Sequence, residues 1–161
     1  MIRSALRPCL ALALLASALA ACSGDGGRPA PATPSTQQEA VSRIGDVTVR
    51  ASVVPTMALG EAVAREYGIH RDDRQLMLLV AVRQGPEAQE RALPARITAT
   101  VTDLRGRAHA VELRELRTGD LLDYVGTVEV DLPDTLRFDL TIVREGGATS
   151  TMQFSREFYP R

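Results

Sequence analysis

The sequence predicts an all-β domain: an immunoglobulin-like β-sandwich of about seven strands, with one short helix between the first two strands. Three observations carry this expectation. From about residue 44 to the C-terminus, apolar and polar residues alternate with period two in one segment after another, the pattern of strands that bury one face. Turn-forming residues separate these segments at spacings of roughly 8–12 residues, as in a sandwich. A single stretch has helical spacing instead.

The first strand is read from Val47, Val49, Ala51 and Val53, which alternate with Thr48, Arg50 and Ser52. The helix follows: Leu59, Ala62, Val63 and Tyr67 fall on one face, Gly68 supplies a C-terminal stop, and Glu61 and Arg65 can pair on the exposed side. It is expected to cover one end of the sheets. Leu76 to Val82 is apolar on both registers and belongs in the middle of a sheet. Ile97, Ala99 and Val101 mark the third strand, and Ala108 to Arg117 the fourth. Leu121 to Val130, Leu136 to Ile142 and Thr149 to Phe158 complete the seven. Between them, Asp103-Leu104-Arg105-Gly106 suits a type I turn. Thr118-Gly119-Asp120, Leu132-Pro133-Asp134 and Glu145-Gly146-Gly147 are further turns.

The N-terminus reads as an address. Arg3 and Arg7 precede an apolar run from Leu10 to Ala21, too short to span a bilayer, which takes about 20 apolar residues. This is a signal peptide over residues 1–21. It closes on Leu19-Ala20-Ala21-Cys22, which resembles a bacterial lipobox. Cleavage before Cys22 would leave a lipid on its sulfur and on its new amino group, and several acyl chains give lasting attachment. Cys9 is lost with the signal, so no disulfide can form. Ser23 in place of Asp points to the outer membrane, facing the periplasm. Residues 22–43 are read as the lipidated cysteine and a Gly/Pro/Ser/Gln-rich tether, with a span of ~25 Å for about 20 residues. Residues 44–161 form the domain.

Composition narrows the function. All 19 basic residues are Arg. Removal of Arg3 and Arg7 with the signal leaves 17 against 20 acidic residues. The mature chain has no basic stripe for nucleic acid and no Trp. Gly-x-Ser-x-Gly and a phosphate-binding glycine loop are absent. His70 and His109 are the only histidines, and without a spare cysteine they make no recognisable zinc set. Asp120, Asp123 and Tyr124, with Glu115 nearby, gather around one hairpin and are the candidate polar site, although Tyr124 shares a register with Leu122, Val128 and Val130. Arg156 falls on the apolar register of Met152, Phe154 and Phe158, so it either meets an acidic partner, faces a cleft, or reaches back to water.

Several short motifs recur in one order: Ala64-Arg65-Glu66-Tyr67-Gly68-Ile69, Thr102-Asp103-Leu104, Leu113 to Asp120 with Tyr124, Leu136-Arg137-Phe138-Asp139, and Phe154 to Tyr159. Together they resemble the domain-of-unknown-function family DUF4426 of exported proteobacterial proteins, over nearly all of residues 44–161. The resemblance implies export and a β-rich fold and supplies no catalytic residue. One stretch departs from it. The family pattern places an Asn and an aromatic after the first strand and Thr-Pro-Glu at the helix start, where this chain has Pro55-Thr56-Met57-Ala58-Leu59-Gly60-Glu61. A family site at that end would be altered here.

The functional expectation is a lipid-anchored envelope module that binds an envelope protein, peptide or small ligand. It is not expected to be an enzyme, and no cofactor, metal or nucleic acid is expected. The alternatives are an envelope hydrolase using the Asp120/Asp123/Tyr124 region and a purely structural envelope lipoprotein.

Overall fold

A computed structural model describes residues 39–160; the signal, Cys22 and most of the tether lie outside the described residues. Ten strands build two antiparallel sheets. The larger sheet orders β1 (Ala40–Ile44), β2 (Val47–Pro55), β3 (Gln75–Gln84), β8 (Leu121–Glu129) and β7 (Arg114–Thr118), with β4 (Arg91–Ala92) paired to the far end of β3. The smaller sheet orders β10 (Thr149–Phe158), β9 (Asp134–Arg144), β5 (Ala95–Thr102) and β6 (Ala108–Val111). The runs β2-β3-β8-β7 and β10-β9-β5 match the ABED and GFC sheets of the immunoglobulin sandwich, so the predicted fold class holds.

The alternation in the sequence becomes the core. Val49, Ala51 and Val53 of β2, Leu76, Leu78, Val80 and Val82 of β3, and Leu136, Phe138, Leu140 and Ile142 of β9 are all buried between the sheets. Phe138 and Phe154, opposite each other in register, stack with centroids 5.0 Å apart. β3 is central, as its double-sided apolar pattern requires. Its second face is covered as well: Met77, opposite Thr127, and Val125, opposite Leu79, lie on the outward register and are buried.

The cover on that side is the helical connection. Helix α1 (Glu61–Glu66) buries Ala64 alone, and Val63 is 39% exposed, so the predicted face of Leu59, Ala62, Val63 and Tyr67 is not the one that packs. Arg114, opposite Val125 on the larger sheet, donates to the Tyr67 carbonyl at the end of the helix, which holds that end against the outer face. Glu61 pairs with Arg71 at 3.8 Å rather than with Arg65.

Three boundaries also differ. Residues 40–43, read from sequence as the end of the tether, form β1 with Ile44 and pair with β2, Ala40 opposite Ala51. The two-residue strand β4 was not foreseen. Ala108 to Arg117 is two strands in different sheets, β6 pairing with β5 and β7 with β8. The chain crosses between them at Glu112 and Leu113. Gly126 permits that crossing: a Cβ there would collide with the Glu112 carbonyl oxygen and stand 2.9 Å from Val111 Cγ1.

Candidate functional site

The hairpin cluster read from sequence does not form one site. Strand alternation sends neighbouring side chains to opposite faces, and it separates Asp123 from Tyr124. Tyr124 points into the core at 4% exposure, and its hydroxyl accepts the backbone N–H of Ala95 at 2.8 Å, linking the two sheets. Asp123 points outward and pairs with the buried Arg83, which also donates to the carbonyls of Leu122 at 2.8 Å and Val82 at 3.2 Å. A buried guanidinium needs such partners. Asp120 sits exposed at the hairpin tip, and Glu115 pairs with Arg117 at 2.9 Å. The residues proposed for acid–base work are thus a core phenol, a counter-ion and two surface carboxylates. Arg156 is half-buried; it donates to the Ser155 carbonyl at 2.7 Å and lies 5.2 Å from the centre of the Phe154 ring.

One open cleft of about 590 Å³ is lined by Glu115 and Tyr124 together with Pro94, Arg96 and Arg144, without Asp120 or Asp123; a second, more apolar one lies at the end of the sandwich where β2 stops. Thr56 is fully buried, and its hydroxyl both donates to the Asp72 carbonyl and accepts the Asp72 N–H, each at 2.9 Å. Arg71 donates to the Met57 carbonyl at 3.1 Å, and the Asp72 carboxylate accepts the Arg74 N–H at 2.8 Å. These bonds clamp the two ends of the β2–β3 connection together and fix Met57, Asp73 and Arg74 at the mouth of an open cleft of about 590 Å³. Its other walls are Pro55, Asp131, Leu132, Tyr159 and Pro160. The lining is mostly apolar. Met57 and Tyr159 are 45% and 57% exposed, large side chains left open to solvent on the walls of one cleft. The Tyr159 hydroxyl donates to Glu157 at 2.9 Å, which raises the phenol above its usual pKa and keeps it protonated.

A smaller cleft of about 170 Å³ adjoins it, sharing Arg74 and Asp131. Asp103 dominates this second space. The predicted turn is present, with Gly106 N–H bonded to the Asp103 carbonyl at 3.0 Å. The nearly buried Asp103 carboxylate accepts the N–H groups of Arg105 and Arg107 at 2.9 and 2.8 Å and the Arg107 side chain at 2.7 Å. Burial is the largest single influence and opposes ionisation. The hydrogen bonds and charge of Arg107, together with the Arg105 N–H, outweigh it and hold the carboxyl below the usual range. His109, Glu129 and Asp134 also line it, with Val101, Val130 and Leu136 as its apolar part. His70 lies in a separate groove beside Gly68 and Arg114. Among the described residues no group of three or more His, Cys, Asp or Glu side chains could hold a metal ion.

Sequence reasoning did not select Met57, Asp73, Asp131 or Tyr159. The available signals were the departure from the family pattern at Pro55–Glu61 and an aromatic just past the last alternating strand.

A family profile described as Domain of unknown function (DUF4426) matches residues 41–161. No curated protein matches the chain. Among solved structures, the chain is similar to a DUF4426 family protein from Pseudomonas aeruginosa, with 24% identity, a TM-score of 0.66, and coverage of 76% of this chain and 96% of that one. It is also similar to FetP of uropathogenic Escherichia coli, as isolated after expression in the periplasm, at 7% identity and TM-score 0.53, covering 78% of this chain and 97% of that one. A copper-bound variant of FetP gives 7% identity and TM-score 0.55, with 78% and 92% coverage. At these identities the likeness is one of fold.

Proposed function

The chain belongs to the DUF4426 family, and from that premise we propose that it is a lipid-anchored envelope protein that acts by binding, through the cleft between Met57 and Tyr159. The observation that carries this reading is the cleft itself. It is the place where a clamped, non-alternating connection, a turn and the last strand's end meet around exposed apolar side chains, and apolar concavities with a few fixed polar groups are the usual form of binding sites. Catalysis has no comparable support, because the candidate acid–base residues are dispersed over both faces of a sheet. Copper is not carried over from FetP, because at 7% identity the likeness is one of fold alone.

The lipobox at Cys22 and the periplasmic expression of FetP both favour an envelope location. Ser23 makes the outer membrane the proposed address. The occupant that suits the cleft is an extended peptide. The cleft is an open groove with apolar walls, and Asp73, Arg74 and Asp131 are set to fix polar ends. The test replaces Tyr159 with p-benzoylphenylalanine in cells making the intact lipoprotein. Irradiation should yield discrete adducts from this position and none from a control at Thr151, exposed on β10. No adduct, or the same diffuse labelling at both positions, would remove the cleft as a binding site.

A further inference from the structure

We infer that the cleft between Met57 and Tyr159 and the smaller one beside it form a two-anchor seat for an extended peptide in which an apolar residue is followed two positions later by arginine or lysine. The inference rests on the reading of the larger cleft as the peptide site and names the side chains it selects. The two spaces adjoin, since Arg74 and Asp131 line both. They differ in size and in lining. The larger, about 590 Å³, is walled by Pro55, Met57, Leu132 and Tyr159 and suits an apolar side chain. The smaller is about 170 Å³. That is the volume of about six water molecules, room for one side chain and not for a length of backbone. An extended chain sends alternate residues to the same side about 7 Å apart. Adjoining spaces are thus reached by residues i and i+2 of one peptide.

The lining of the smaller space selects a cation on a long apolar stem. Val101, Val130 and Leu136 are buried and form its apolar part. They suit the methylenes of arginine or lysine, which pack on apolar surface while the charged head stays among polar groups. The carboxylates of Asp103, Glu129, Asp131 and Asp134 supply the counter-charge. Arg107 is already committed, to Asp103 at 2.7 Å and to Asp131 at 3.5 Å. Among the described residues Glu129 and Asp134 pair with no cation; the Asp134 carboxylate accepts the backbone N–H groups of Leu104 at 3.2 Å and Thr135 at 2.7 Å. With Asp73 included, five carboxylates across the two linings face the two guanidiniums of Arg74 and Arg107. This surplus of three negative charges is local, because the whole chain, with histidine counted neutral, carries a formal net charge of -1 at pH 7. A cationic side chain offsets the surplus, whereas an acidic one adds to it.

Hexapeptides of sequence Gly-Ser-Leu-Ser-Xaa-Ser, with Arg, Lys, Gln or Glu at Xaa, test this on the intact lipoprotein in detergent micelles, carrying the photoprobe at position 159. Adduct yield should fall from Arg and Lys through Gln to Glu. The Arg and Glu peptides should differ about three- to tenfold, as when an exposed ion pair is exchanged for a repulsion, and the difference should shrink in 1 M salt. Replacing Leu with Ser in the Arg peptide should abolish its adduct; a yield that survives would show attraction by charge alone and overturn the two-anchor seat. The Glu129 side chain is exposed and has no partner among the described residues, so Glu129→Arg spares the fold, and it should bring the Glu peptide level with the Arg peptide or above it. Equal yields from the four peptides, or an order unmoved by Glu129→Arg, overturn the inference and leave the cleft as a binding site. No adduct from any of them also overturns it, and the wider reading then rests on the adducts found in cells.

Discussion

Tyr124 combines a core position with a satisfied hydroxyl, and its partner belongs to the opposite sheet. Tyr124→Phe keeps the ring and leaves the Ala95 N–H without its acceptor. The expected loss is about 1 kcal/mol, read from urea unfolding; an unchanged midpoint would mean that water replaces the phenol. Asp103 is the residue with the clearest pH signature. Its carboxyl titrates lower in the folded protein than in the unfolded chain. Its stabilising effect is therefore complete above the unfolded value, about pH 4, and is lost as pH falls through the lowered folded value. The gap in thermal midpoint between the native chain and Asp103→Asn should be widest at neutral pH and should close below about pH 4. A gap that does not change with pH would show that the ionised carboxylate is not what matters. The register of Tyr124 was legible from alternation, and so was the Asp103 turn. The partners were not: Asp123 meets Arg83 from 40 positions away and Tyr124 meets Ala95 from 29, and local spacing holds no trace of either pairing.

The element that sequence misread most is Ala108 to Arg117. Both halves alternate, so they look like one strand, yet Val111 and Leu113 are followed by Leu116, a step of three that marks a change of face. The crossing between sheets happens at Glu112 and Leu113, just before that step, and Gly126 on β8 leaves room for it. Gly126→Ala should cost about 1–3 kcal/mol by overpacking, because the atom in the way is backbone and cannot rotate aside. A thermal midpoint equal to that of the native chain would show that the crossover can shift. The helix was found but turned wrongly, since a six-residue element presents too few turns for a stripe to define its buried side. Here Ala64 is the one residue of the helix that is buried. The Pro55 cleft was out of reach for a related reason: it is assembled from turns and strand ends, where neither the period of two nor that of 3.6 applies.

At the scale of the molecule, the domain and its attachment separate cleanly in the proposal. Among the described residues the buried core lies within residues 40–158, so Cys22→Ala should move the protein from the membrane fraction to the soluble periplasmic fraction with its thermal midpoint unchanged. Retention in the membrane fraction would refute lipid attachment at Cys22. The fold class was readable because alternation and turn chemistry extend over the entire domain and reinforce one another. The first strand was not, since Ala-Val-Ser-Arg-Ile over Ala40–Ile44 has no period-two alternation and becomes a strand through its pairing with β2. That pairing has a mechanical meaning. A pull transmitted from the membrane enters the domain at Ala40 and acts along β1, so the rungs shared with β2 are loaded together in shear rather than broken one by one like a zipper. Drawn from its N-terminus in a force experiment, the domain should yield in one abrupt event, as a grip fails and not as a seam.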